Sequence, residues 1–236
     1  MDTLERFVSE SAESETFSGR FDNESARMLR IDVDGGVWLK PGAAVAHRGD
    51  ITFARLPTVD ACSVEQAILR EAAPLVRASG KGRLYCGHRG SHARAVQLSG
   101  ETIVVAWPDL LAFEESLTFD MTLLGHGVGL AAGGLVVVRL SGHGAFAMGT
   151  HGQPLALRVA PGQSVCTDPH ATLAWSASLT PALKLDVNWR SFVAHGGQEP
   201  VQMLFDGDGF VLVQPYEDAS RLGVGALKKV ASLVAG

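Results

Sequence analysis

The sequence predicts a mainly β protein, a compact antiparallel β-sandwich built from three pseudo-repeats with a short inserted helix and a C-terminal helix. Two observations carry that prediction. Short apolar or β-branched runs ("MLRIDV", "GVWLK", "DITFARL", "TIVVAW") alternate with Gly, Pro and Asp at intervals of roughly 8–12 residues, the rhythm an antiparallel sandwich or barrel requires. The chain also matches itself: "LAFEESLT" at 111–118 returns as "LAWSASLT" at 173–180. With 46% apolar residues there is enough material for a substantial core.

Three regions follow from composition. Residues 1–26 are acidic, Ser-rich and poor in apolar side chains, which predicts a mobile lead-in with a short helical start around Leu4 and Phe7. Residues 27–217 form the single β domain, in three tandem units. Within it, 63–78 places Val64, Ile68, Leu69, Ala72 and Leu75 at helical spacing, with Pro74 positioned to end or kink the helix. Residues 218–236 form the C-terminal helix, whose periodic stretch begins at Glu217 and puts Leu222, Leu227, Val230 and Val234 on one face.

The internal match extends beyond eight letters. A shift of 62 residues aligns 82–118 with 144–180 without a gap, and Gly82, Gly87, Gly90, Gly100, Leu111, Ala112, Ser116, Leu117 and Thr118 meet identical residues. A fainter copy sets "PGAAVAH" (41–47) over "PHATLAW" (169–175), which predicts that Val45, Leu111 and Leu173 occupy equivalent inward positions. "SGKG" (79–82), "SGHG" (141–144) and "DGDG" (206–209) each stand before an apolar run and read as opening turns. Glycines at fixed offsets indicate repeated backbone geometry with positive φ rather than separate ligand loops.

The residues that could carry chemistry do not converge. "LLGHGVGLAAGG" (123–134) has the glycines of a phosphate loop, but Gly133 and Gly134 would cut short the helix a dinucleotide fingerprint needs. It reads as a connector between units. His88 and His92 are spaced four apart, yet Gly90 and the repeat place them in a hairpin turn, away from the helical geometry that pairs imidazoles on a metal. His47, His126, His143, His151, His170 and His195 stand singly near turns. No G-x-S-x-G elbow is present, and Cys62, Cys86 and Cys166 form no C-x-x-C pair. Glu114–Glu115 and Asp206–Asp208 read as solvated turn acids, and Trp38, Trp107 and Trp175 as packing residues. A formal charge of −5 argues against nucleic acid as partner. Lacking a basic start with an apolar run and cleavage site, and lacking a long apolar span, the chain is expected to be cytoplasmic.

Four blocks in series, 28–55, 133–154, 168–179 and 203–217, resemble the altered-inheritance-of-mitochondria 24 family, whose bacterial members are described as mitochondrial-biogenesis-like. The resemblance implies a fold similar to that of the tryptophan RNA-binding attenuation protein and a link to membrane and mitochondrial organisation. It brings no catalytic residue and no cofactor, and a shared fold does not confer RNA binding. The sequence therefore points to a non-catalytic binding or assembly module with no assigned catalytic, cofactor or metal residue. Its expected partner is another protein or a second copy, with membrane-surface association as a further option. A cupin-like small-molecule binder or metal-dependent enzyme is the alternative. The basic stretch "CGHRGSHAR" (86–94) is where the middle unit differs most from its partner copy.

Overall fold

A computed structural model describes residues 3–14, 19–56, 69, 73–124, 135–185 and 201–215. One short helix, α1 (Leu4–Glu10), opens the chain, capped by the Thr3 hydroxyl on the Arg6 amide. All the strands that follow pair antiparallel. They are β1 (Phe21–Ser25), β2 (Met28–Leu39), β3 (Ala44–Arg55), β4 (Val76–Cys86), β5 (His92–Ala106), β6 (Leu110–Glu114), β7 (Thr118–Leu124), β8 (Leu135–Thr150), β9 (Leu155–Val159), β10 (Val165–Thr167), β11 (Thr172–Ser176), β12 (Ala182–Leu185), β13 (Val201–Phe205) and β14 (Gly209–Val213). An eleven-stranded sheet runs β3-β4-β2-β6-β8-β5-β11-β14-β9, with β1 beside β2 and β7 beside β8. A three-stranded sheet runs β10-β13-β12.

Three successive stretches share one pairing scheme, in which the last strand lies between the first and the second. In 28–86, β4 sits between β2 and β3. In 92–150, β8 sits between β5 on one side and β6 with β7 on the other. In 155–213 each long strand is split in two, so β14 lies between β9 and β11 while β13 lies between β10 and β12. Neighbouring stretches are then stitched by two short junctions. Val37–Leu39 of β2 pairs with Ala112–Glu114 of β6, and Ile103–Val105 of β5 pairs with Ala174–Ser176 of β11.

The strands are longer than the turn signals suggested, because glycines bend them instead of ending them. "MLRIDV" and "GVWLK" belong to the single strand β2, and "SGKG" and "SGHG" lie inside β4 and β8; only "DGDG" separates two strands. Gly80 shows why. Its φ is +133°, and a Cβ there would stand 2.0 Å from the Asp50 carbonyl oxygen of β3. No L side chain fits that crossing, so the strand passes its neighbour only with glycine. Of the four glycine pairs matched by the 62-residue shift, Gly90 with Gly152 and Gly100 with Gly162 have positive φ.

Apolar side chains gather in three clusters. One holds Phe113, Phe146 and Leu173, a second Leu29, Ile31, Leu84 and Leu111, and a third Trp175, Phe205 and Met203. Trp175 meets Phe205 edge-on at 5.4 Å, Trp38 lies 5.8 Å from Phe119 and Trp107 is buried in the first cluster, so these three tryptophans are packing residues. The sequence reading needs revision at the lead-in and at the inserted helix. The 1–26 stretch includes β1, whose Phe21 is buried in the second cluster. Of the helix expected over 63–78, Val76–Ala78 is strand β4; Leu69 and Ala73 close one helical hydrogen bond, and 63–68 and 70–72 lie outside the described residues. The expected C-terminal helix lies outside them as well.

Candidate functional site

Three strands carry a bulge at the same place. In β6 the register shifts between Leu110 and Ala112, in β11 between Thr172 and Ala174, and in β3 between Ala44 and Ala46. The skipped residues are Leu111, Leu173 and Val45. A bulge turns one extra residue out of the ladder and aims its groups elsewhere. The Leu111 carbonyl is thereby free to accept from the Lys40 amide at the end of β2, which locks the β2–β6 junction. Leu111 and Leu173 are 1% and 0% exposed, whereas Val45 is 59% exposed. The expectation that all three point inward fails at Val45, because among the described residues no strand pairs with the outer edge of β3.

The uncovered edge is amphipathic. Phe53 is 43% exposed and takes the His47 ring edge-on at 5.5 Å, and Leu56 follows it in the open. At the other end of the sheet Leu155 of β9 is 57% exposed opposite Val213, and Phe210 of β14 is exposed opposite Arg158. β10 pairs with β13 on one side and, among the described residues, with no strand on the other; its Cys166 is exposed and donates from Sγ to Gln202 Oε1 at 3.1 Å. On the face of β3 and β4, Glu13 from the lead-in is gripped by Arg83 at 2.6 Å, by the Tyr85 hydroxyl and by Arg48 at 3.3 Å. The hydrogen bonds from Tyr85 and Arg83 hold its carboxyl below the usual carboxylate range.

The histidine-rich stretch lies at a corner between β4 and β5. Arg89 and Gly90 both have positive φ (47° and 71°), and the Ser91 amide closes on the His88 carbonyl at 2.9 Å, the geometry of a type I′ turn. It is a turn but not a hairpin, since β4 and β5 do not pair. The Lys40 ammonium lies 3.4 Å from His88 Nε2 and also donates to the Pro108 carbonyl. An ammonium can only donate, so it claims the lone pair of Nε2 that a metal would need. His92 begins β5, and His47 and His143 lie within β3 and β8, so these three are strand residues. No group of three His, Cys, Asp or Glu suited to a metal exists among the described residues.

The other chemistry-bearing groups have local duties. Glu114 is not a solvated turn acid: it ends β6, accepts from the Ala145 amide at 2.8 Å and lies 3.4 Å from Arg20. Glu115 pairs with Arg77, while Asp206 and Asp208 are exposed as expected. Burial pushes the Cys86 thiol up to about 12. "LLGHGVGLAAGG" lies outside the described residues from Gly125 on, but the strands flanking it pair at Leu124 and Leu135, so it closes a hairpin inside one stretch and does not link two. His126, His195 and Cys62 are outside the described residues too. Sequence reasoning missed Phe53, Leu155 and Phe210 as surface apolar residues. Each sits in an ordinary strand pattern, and nothing in the local residues says which strand ends a sheet.

Antiparallel strands bent at glycine and stitched by bulged junctions define a mainly β scaffold whose candidate site is an open edge. The chain belongs to the mitochondrial biogenesis AIM24 family, whose profile it matches over residues 20–216. The fold is similar to that of protein SPYM3_0169 from Streptococcus pyogenes, known from a crystal structure. The TM-score is 0.66 and the identity 21%, with 89% of this chain and 97% of that chain covered. No protein of curated function matches the chain. No helix among the described residues is long and apolar enough to cross a membrane.

Proposed function

We propose that the protein works by binding, as a non-catalytic assembly module whose contact surface is formed by the open strand edges. One observation carries this reading: large apolar side chains, Phe53, Leu155 and Phe210, are exposed on or beside strands that end a sheet. Soluble chains blunt such edges with charge or proline, and exposed apolar residues there mark sites that are covered in use. The partner is a protein surface, and membrane-surface association is the competing occupant. The test is affinity purification of the full chain from its native cells, comparing wild type with Phe53→Asp and Leu155→Asp. The reading expects a defined set of co-purifying chains that both variants lose while their melting temperatures hold. An unchanged set in both variants refutes it, and retention on lipid vesicles instead of proteins moves the occupant to a membrane.

A further inference from the structure

We infer that the outer edge of β3 is completed by strand β10 of a second copy of this chain. The inference rests on the assembly reading above and names its partner. Inside the chain the same junction is built twice: the C-terminal part of a stretch's first strand pairs, over three residues, with the strand just past a bulge. The pairs are Leu39 with Ala112 and Val105 with Ala174, continuing to Val37 with Glu114 and Ile103 with Ser176. Each junction stands over a buried bulge leucine, Leu111 or Leu173.

A third pair of halves is present but unjoined. β3 has the same bulge, at Val45, with Ala46–Arg48 following it. β10 stands to Ile103–Val105 as Leu173 stands to Leu111, displaced by the same 62 residues, and among the described residues pairs only with β13. Carrying the two observed registers forward sets Thr167 opposite Ala46, Cys166 opposite His47 and Val165 opposite Arg48. Val45 is exposed because its covering strand is missing, and the chain does not bring its own β10 to it. A second copy supplies that strand already shaped for the register, with an outer edge that no strand among the described residues occupies. Each copy offers one β3 edge and one β10 edge, so the contact is heterologous and closes as a ring or extends as a filament.

Two measurements on the full chain test this. Light scattering after size exclusion, across a wide dilution series, should give a mass that is a multiple of 24.9 kDa and falls on dilution. Val45→Asp should reduce it to a single subunit whose melting temperature matches that of wild type at the dilute end of the series, since Val45 is exposed in the lone chain. Independently of how that variant behaves, His47→Cys in a Cys62→Ser background should oxidise to Cys166 of another copy. Opposed residues in an antiparallel pair stand about 4.5–5.5 Å apart at Cα, within disulfide reach. Non-reducing gels should show linked subunits, and Asp50→Cys, about 10 Å further along the strand, should not form them. A single-subunit mass at every concentration overturns the inference, as does a multimer that Val45→Asp leaves intact or a 47–166 link confined to one chain. If the mass is that of one subunit while Phe53→Asp still strips co-purifying chains, this inference falls and the assembly reading stands. If neither variant changes anything, both fall.

Discussion

Leu173→Ala is the sharpest probe of the bulged junctions. Leu173 is fully buried in the cluster that includes Val105, Phe113 and Phe146, so the change removes three carbons from a closed site. The transfer cost alone is about 2.4 kcal/mol at about 0.8 kcal/mol per carbon. Junction strands paired on both sides can collapse little around the hole, and the cavity raises the total to about 2–5 kcal/mol. For a chain of this size that corresponds to a fall in melting temperature of about 5–15 °C. Leu111→Ala should behave alike in the neighbouring cluster, where Leu111 is equally enclosed. Val45→Ala should cost less than about 0.5 kcal/mol in dilute protein, because its side chain already lies in solvent. Urea unfolding followed by circular dichroism, with the slope checked for constancy, measures all three. A Leu173→Ala cost below about 1 kcal/mol, or a dilute Val45→Ala as damaging as Leu173→Ala, would refute the account of the junctions. In concentrated protein, the cost of Val45→Ala should rise if a second copy covers the site.

Three further outcomes are expected. Gly80→Ala should lose about 1–3 kcal/mol from its positive φ alone, and more from the collision with the Asp50 carbonyl; a melting temperature within error of wild type would count against the glycine crossing. In a Cys62→Ser background, native protein at pH 8 should react one thiol, Cys166, with a disulfide reagent and two after denaturation, because Cys86 is buried with its thiol pushed up to about 12. The Glu13 carboxyl is held low by Tyr85 and Arg83, so its contribution is complete above the unfolded carboxylate pKa and is lost as pH falls through the lowered folded value. Glu13→Gln should therefore lower stability at neutral and alkaline pH, change little at acid pH where Glu13 is itself protonated, and so flatten the acid limb of the stability profile; an acid limb identical to wild type would argue that the lead-in is not docked through this group.

The sequence alone settled the β class, from turn chemistry and β-branched runs, and the family, from ordered blocks along most of the chain. Its 62-residue offset also connects β6 with β11, and both carry the bulge at the matched leucine. Such features are local: a bulge or a glycine with positive φ is written in the few residues around it. What the letters did not hold is which strand lies beside which. "SGKG" reads as a turn until β3 is seen crossing it, and Glu114 reads as a solvated acid until the Ala145 amide reaches it from β8. The candidate site was illegible for the same reason. Val45 matches Leu173 in sequence position and in backbone geometry, but among the described residues no strand pairs beside it on one side. Burial is a property of the pair of strands, and the tertiary structure alone decides where pairing stops.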